Sequence, residues 1–252
     1  MSWAELPGEL HRFADVVRRE PATAATAEFL FGQSARFHQE WQGHKAITAT
    51  RMPLPRPRDQ GLHPVGCQIE ASYLSFEYVA GEQGKPPKAA DFQVRIDALL
   101  VAGDALIELQ DHWRIDTEPA RDQAAGGAAG QLTFEGREPH PFFHFQRGGR
   151  AQDSFARESG FFPSANTEIR EGEWKALMQY PGPRIPSLPF DPLLAIDFCI
   201  AQNDGLVWRR LRSIPEYFSI VEDAQARLWT PFFNALAERT FRRKWLGPIL
   251  LA

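Results

Sequence analysis

The sequence predicts an α+β fold in which a curved antiparallel sheet of about five strands is packed on one face by helices from both ends of the chain. Apolar residues recur at three- and four-residue spacing near both termini, as in amphipathic helices. The middle alternates apolar and polar residues in short segments separated by turn-rich joints, as in antiparallel strands. With 43% hydrophobic residues, the 252 residues hold enough apolar material for one core, so a single domain over residues 1–252 is expected.

The helical start is expected over residues 1–43. An apolar stripe that includes Leu6 and Leu10 predicts a first helix, which Pro21 interrupts. A second helix is expected from residue 23 to about residue 41, because apolar residues partly keep the same spacing there.

The sheet region is expected over residues 45–150. A weakly alternating strand at 45–52 precedes the proline-rich segment 53–58, which is predicted as an extended surface connection because proline continues neither a helix nor a central strand. The small-residue stretch 118–130 is expected to be a long loop. The strands of the meander are predicted at 68–79, 92–101, 105–116, 132–134 and 141–146.

An irregular connection is expected over residues 151–190, and its last part is proline-rich. Asp191 is a suitable N-cap and Pro192 fits the first helical position, so a helix is predicted to about residue 202. This helix is apolar on nearly every side, and we therefore expect it to be buried.

The C-terminal helices are expected over residues 191–252. Their last member is predicted from residue 215 to about residue 244, since apolar residues form an inward stripe there. Pro231 lies inside this region and predicts a kink or a break.

Composition and cysteine usage indicate a cytoplasmic protein. The formal net charge of −4 provides no general attraction to nucleic acid or to anionic lipid. Cys67 and Cys199 are too few for a disulfide framework, and apolar neighbours flank each of them, which favours a reducing compartment. The first 20 residues lack the apolar core of a signal peptide, and no apolar run approaches the length of about 20 residues that spans a bilayer.

Histidines in two predicted strands form the first candidate site. On strand spacing, Glu108, His112 and Asp116 share one face, and His140 and His144 share one face of the later strand. If the two strands are neighbours, these side chains supply the ligand types of a divalent metal or an acid–base site. An ordinary solvated sheet face is the favoured alternative. The two histidines of the later strand would also lie about 13 Å apart on a regular strand, so one shared metal ion needs a bend.

Asp197 is the second candidate, because it lies in the apolar helix that follows Pro192. A buried carboxylate there needs a partner or a raised pKa. Arg184 or a histidine from the strand that contains His140 is the expected partner, and a structural ion pair is the favoured interpretation.

A short basic segment with an aromatic residue is the third candidate. It contains Trp208, Arg209, Arg210 and Arg212, and arginines beside aromatic rings bind phosphates and stack on bases. Nucleic-acid contact is therefore one interpretation. The favoured alternative is that these cations solvate a helix and complement its C-terminal dipole.

Three short motifs resemble those of uncharacterised bacterial families of unknown function. They are His140-Pro141-x-x-His144-x-Gln146, Arg184-Ile185-Pro186 and Ile196-Asp197-Phe198, within about a quarter of the chain. Such families are often encoded among mobile or phage-defence genes, but the resemblance brings no established activity. It implies that His140, His144, Arg184 and Asp197 form one structural or functional cluster, to which the strand pairing above adds His112.

The leading functional expectation is a non-catalytic cytoplasmic protein that binds a partner protein, a second copy of itself or a nucleic-acid component in a bacterial defence or accessory complex. The chain has no phosphate-binding glycine loop, serine-hydrolase elbow or zinc-finger spacing. One alternative is a metal-dependent hydrolase or nuclease that uses the histidines with Asp116 or Glu108. Another is a small-ligand sensor whose pocket is the concave polar face of the sheet, with His112 and His144 on it. The cofactor is not indicated, and no membrane association is expected.

Overall fold

In the computed structural model the described residues are 5–58, 66–82, 87–102, 105–117, 143–147, 172–178 and 190–237. The helices among them are α1 (Leu6–Val17), α2 (Ala24–His44), α3 (Pro192–Asn203), α4 (Gly205–Arg212) and α5 (Pro215–Ala237), with a short 3-10 helix at Pro21–Thr23. The strands are β1 (Ala46–Pro53), β2 (Gln68–Val79), β3 (Ala89–Ala102), β4 (Ala105–Thr117), β5 (Phe143–Arg147) and β6 (Gly172–Leu177). These elements confirm the predicted α+β class.

The strands form one sheet in the order β1-β2-β3-β4-β5, and each neighbouring pair is antiparallel. The outer edge of β4 is shared between two strands. Its C-terminal part pairs with β5, and its N-terminal part pairs in parallel with β6. Register shifts interrupt the β1–β2 and β2–β3 ladders once each, and such bulges bend a strand and increase its twist.

The core lies between one face of the sheet and the helices. Alternate residues of the strands are buried on that face, because successive strand side chains point to opposite sides. Helix α2 packs on β1 and α3 contacts β2, while the ring of Phe198 on α3 meets Trp113 of β4 edge to face at 5.8 Å. Every residue from Pro192 to Ile200 is buried, which confirms the predicted burial of this helix.

A buried ion triad joins α1, α3 and α5. Arg227 on α5 donates through Nε and Nη2 to Asp191 Oδ2 at 3.1 and 2.8 Å, and through Nη1 to Glu9 Oε2 on α1 at 2.5 Å. Asp191 also caps α3, since its Oδ1 accepts from the Leu193 N–H. Burial raises the pKa of Glu9 although Arg227 opposes this effect. The triad thereby ties the first turn of α3 to α1 and α5.

The sheet edge at β1 is covered by α2. The outward backbone N–H of Thr48 donates to Glu40 Oε2 at 3.0 Å, and the Thr48 carbonyl accepts from Arg36 Nη2 at 2.6 Å. Arg36 and Glu40 also pair with each other at 2.6 Å. Two side chains of one helix therefore occupy backbone groups that an edge strand otherwise offers to another chain.

The C-terminal half differs from the sequence predictions in three places. The connection predicted as irregular contains β6, whose parallel partner lies more than 60 residues earlier in β4, so no local turn signals the pairing. The bounds of helix α4 were not predicted, although Asp204 caps it by accepting from the N–H groups of Leu206 and Val207. Helix α5 continues through Pro231, so the break that was one of the two predicted outcomes is not observed.

Some predictions fall outside the described residues. They are the strand at 132–134, the long loop at 118–130, the proline-rich path at 181–189 and the last helix beyond residue 237. These remain predictions.

Candidate functional site

The polar face of β4 holds the residues predicted for the histidine site. His112 and Asp116 are buried, and Glu108 is exposed at the other end of the strand. Arg114 lies between His112 and Asp116 along the strand. It donates two hydrogen bonds of 2.8 Å to the carboxylate of Asp91 in β3, and its Nη2 lies 2.7 Å from Asp116 Oδ2. Burial alone would lower the pKa of Arg114, but the two carboxylates raise it overall. Asp116 is therefore part of an ion-pair network on this face, in which one arginine pairs with two carboxylates.

The strand that contains His144 pairs with β4, which is the arrangement that the histidine site requires and that the sequence left open. The backbone of His144 in β5 lies opposite Asp116 in the antiparallel register. His140 lies outside the described residues. Within the described ranges no group of three or more His, Cys, Asp or Glu residues is placed to hold a metal ion. The metal ligation by the histidines remains a prediction.

Asp111 is a buried acid that the sequence interpretation missed. It lies opposite Ile96 on the apolar face of the sheet and is only 1% exposed. Its Oδ1 accepts from the backbone N–H of His112 at 2.9 Å. A carboxylate at an apolar position of an alternating strand, between Leu109 and Trp113, was the available signal.

The carboxylate of Asp197 is surrounded by four donors. Its Oδ1 accepts from the indole N–H of Trp208 at 2.9 Å, from the Tyr217 hydroxyl at 2.7 Å and from Arg212 Nε at 3.2 Å. Its Oδ2 accepts from Arg212 Nη2 at 2.7 Å. A carboxylate has about four acceptor positions, so little capacity remains to receive a proton from a substrate.

The partners of Asp197 differ from those expected. The sequence pointed to Arg184, which lies outside the described residues, or to a histidine, whereas the observed cation is Arg212 on α4. His112 is also separated from Asp197 by the sheet. Helix α3 packs on the face that carries Trp113, and His112 points to the opposite face. The structure therefore does not bring these two members of the predicted cluster together.

The Tyr217 hydroxyl and the Cys199 thiol, which both feel the charge of Asp197, are held in their neutral forms. Burial, together with the charge of Asp197, raises the pKa of the Tyr217 hydroxyl well above its ordinary value. Burial likewise raises the pKa of the Cys199 thiol, and Asp197 adds to the effect. Neither group is therefore an activated nucleophile near neutral pH.

In the fold, the arginines predicted to contact nucleic acid have different surroundings. Arg210 is engaged with Glu20 through bonds of 2.7 and 3.0 Å, and Arg212 is engaged with Asp197 and stacks on Trp208 at 5.1 Å. Arg209 is exposed, and it forms no ion pair within the part of the chain that the structure describes. Of the three arginines, it alone is available to a ligand.

A groove of about 1020 Å³ lies between α3, α4 and α5, and its polar lining includes Asp197 and two of its donors, Trp208 and Arg212. The apolar lining includes Phe198 of α3 and Trp229 and Phe233 of α5. Arg209 lines it from α4. Phe233 is 61% exposed, which is unusual for a large aromatic residue that has apolar neighbours. The aromatic lining thus reaches solvent at Phe233, and Arg209 lines the same groove.

No protein-family model matches the chain, and neither a curated protein nor a solved structure matches it. Among the helices that the structure describes, none is long and apolar enough to cross a membrane.

Proposed function

We propose that the protein is a non-catalytic binding or accessory subunit, and that it holds a partner protein in the groove between α3, α4 and α5. The observation that carries this proposal is the aromatic lining of the groove, which reaches solvent at Phe233. Exposed apolar surface of this kind, with polar residues around it, is typical of protein interaction sites. Aromatic residues and arginine are also the residue types that contribute most to binding energy at such sites.

The surroundings of the buried acids support a non-catalytic role. A general base needs an accessible oxygen that accepts a proton from the substrate. Asp197 accepts from four donors, and Asp191 accepts from the Leu193 N–H and from two nitrogens of Arg227. Both acids are therefore occupied by the fold, and their role is to hold helices together.

The proposed setting is a cytoplasmic complex in a bacterium. Cys67 and Cys199 are both buried, and Cys67 Sγ lies 3.9 Å from Met178 Sδ, as expected for cysteines that serve as small apolar residues. The resemblance to families encoded among phage-defence genes supports a subunit of a defence complex.

Co-elution with the products of adjacent genes tests this proposal. Each product is mixed with the full chain and analysed by size-exclusion chromatography with mass measurement. Phe233→Asp places a charge at the groove, and Phe218→Asp is the matched control, because Phe218 is a 43% exposed phenylalanine of the same helix that does not line the groove. The expected result is a complex that Phe233→Asp abolishes and Phe218→Asp preserves. A chain that stays alone with every product contradicts the proposal.

A metal-dependent hydrolase is the second candidate. It is favoured by the register that places the backbone of His144 opposite Asp116. Elemental analysis of the purified protein, compared with the double variant His140→Ala/His144→Ala, tests it. A stoichiometric transition metal that the double variant loses would favour the hydrolase, and equal metal content in both proteins would dispose of it.

A further inference from the structure

A second, shallower cavity of about 610 Å³ borders the groove on the outer side of α5. The two cavities share Gln225, Trp229 and Phe233. These residues are spaced four apart, so they lie one above another on α5 and form a ridge of about 12 Å. Both cavities are therefore parts of one surface, and the ridge runs between them.

The two sides of this ridge carry opposite charge. Arg209 lines the groove on one side, and Glu222 and Asp223 line the shallow cavity on the other. The three side chains form no ion pairs within the described ranges, whereas Arg210 and Arg212 of α4 both do. The charges of Arg209, Glu222 and Asp223 are consequently available to a ligand that covers the ridge.

We propose that the partner segment is an amphipathic helix with acidic residues on the flank that faces Arg209 and basic residues on the flank that faces Glu222 and Asp223. This inference rests on the proposed function and specifies its partner. Trp229 and Phe233 are the apolar part of the ridge, and an amphipathic helix binds a protein surface through an apolar stripe of matching spacing. Flanking charges of both signs fit the two sides of the ridge, while a nucleic acid would meet repulsion at the acidic side.

Three labelled synthetic helices of equal length test the inference by fluorescence anisotropy with the purified full chain. All share leucines at positions i, i+4 and i+7. The first has glutamates on one flank and lysines on the other, the second has lysines on both flanks, and the third has glutamates on both. The mixed helix is expected to have the lowest Kd. Each favourable charge pair that another helix lacks is expected to raise the Kd of that helix by about threefold.

Charge reversal on the protein provides the decisive comparison. Arg209→Glu makes both sides of the ridge acidic, so the preference is expected to change from the mixed helix to the helix with lysines on both flanks. Arg18→Glu, on the exposed end of α1, is the matched control and is expected to keep the original preference. Phe233→Asp is expected to weaken all three helices by at least about tenfold, because it removes the apolar contact.

Equal binding of the three helices, or an unchanged preference in Arg209→Glu, overturns the inference. If that occurs while a gene product still co-elutes in a way that depends on Phe233, the proposed function stands and only the helical partner is wrong. A mass that doubles with concentration in the wild type but not in Phe233→Asp identifies a second copy as the occupant and also overturns the inference.

Discussion

The buried triad of Glu9, Asp191 and Arg227 allows the sharpest test of how the fold is held together. The side chains of Arg227 and Asp191 are 1% and 0% exposed, and that of Glu9 is 8% exposed. Arg227→Met keeps most of the side-chain volume and removes the charge. Two carboxylates are then left in the interior without the cation that pairs with both of them.

The expected loss in the free energy of unfolding is about 3–5 kcal/mol, the usual cost of removing one partner from a buried ion pair. This is a large part of the roughly 5–15 kcal/mol by which ordinary domains are stable. Replacing all three charges, in Arg227→Met/Glu9→Gln/Asp191→Asn, is expected to recover most of the loss. No buried charge then remains, and asparagine still caps α3.

The pH dependence of Arg227→Met has a definite sign. Burial already raises the pKa of Glu9, and without Arg227 the opposing attraction disappears. The folded variant therefore binds more protons than the unfolded chain, so its free energy of unfolding rises as the pH falls from about 7 to about 5. The triple variant lacks the titrating groups and is expected to show no such rise.

Urea unfolding followed by tryptophan fluorescence measures these free energies at both pH values. The reasoning is refuted if Arg227→Met costs less than about 1 kcal/mol, the net value of an ordinary neutral hydrogen bond. It is equally refuted if the single variant is no more stable at the lower pH, because uncompensated carboxylates would then not be the cause of the loss.

Two further predictions concern the surface of the helices. The hydrogen bond from Arg210 is the main cause that lowers the pKa of Glu20, so this contribution to stability is present above the ordinary value of 4.5 and is lost as the pH falls below it. Glu20→Gln is expected to flatten the acid limb of a stability profile measured by urea unfolding. Arg36→Ala/Glu40→Ala is expected to expose the β1 edge and increase aggregation, which light scattering at rising temperature measures.

Each of these predictions has a control in the same chain. Arg210→Met removes the partner of Glu20 and is expected to flatten the acid limb in the same way, so an unchanged limb in both variants shows that the pair contributes nothing. Asp15→Ala/Arg18→Ala removes a surface pair of α1 that touches no strand. Equal aggregation of this variant and the α2 variant would contradict protection of the edge.

Elements whose signals are local could be predicted from the sequence. The predicted strands at 68–79 and 105–116 are observed as β2 and β4 with nearly the same bounds, and the cap at Asp191 begins a helix that is buried as expected. These features follow from residue spacing of 2 or 3.6 and from a side chain that bonds its own neighbouring N–H. The predicted need of Asp197 for a partner was likewise a local inference, because an acid in an apolar helix requires one.

The contacts between elements that are distant in the sequence are known only from the tertiary structure. Asp197 accepts hydrogen bonds from Trp208, Arg212 and Tyr217 because α4 and α5 pack against α3. Strand β6 pairs with β4 although a long stretch of chain separates them. The groove is also a product of this packing, since its lining comes from three helices. Such contacts depend on which surfaces bury the most apolar area together, and residue spacing along one segment carries no information about a surface contributed by another.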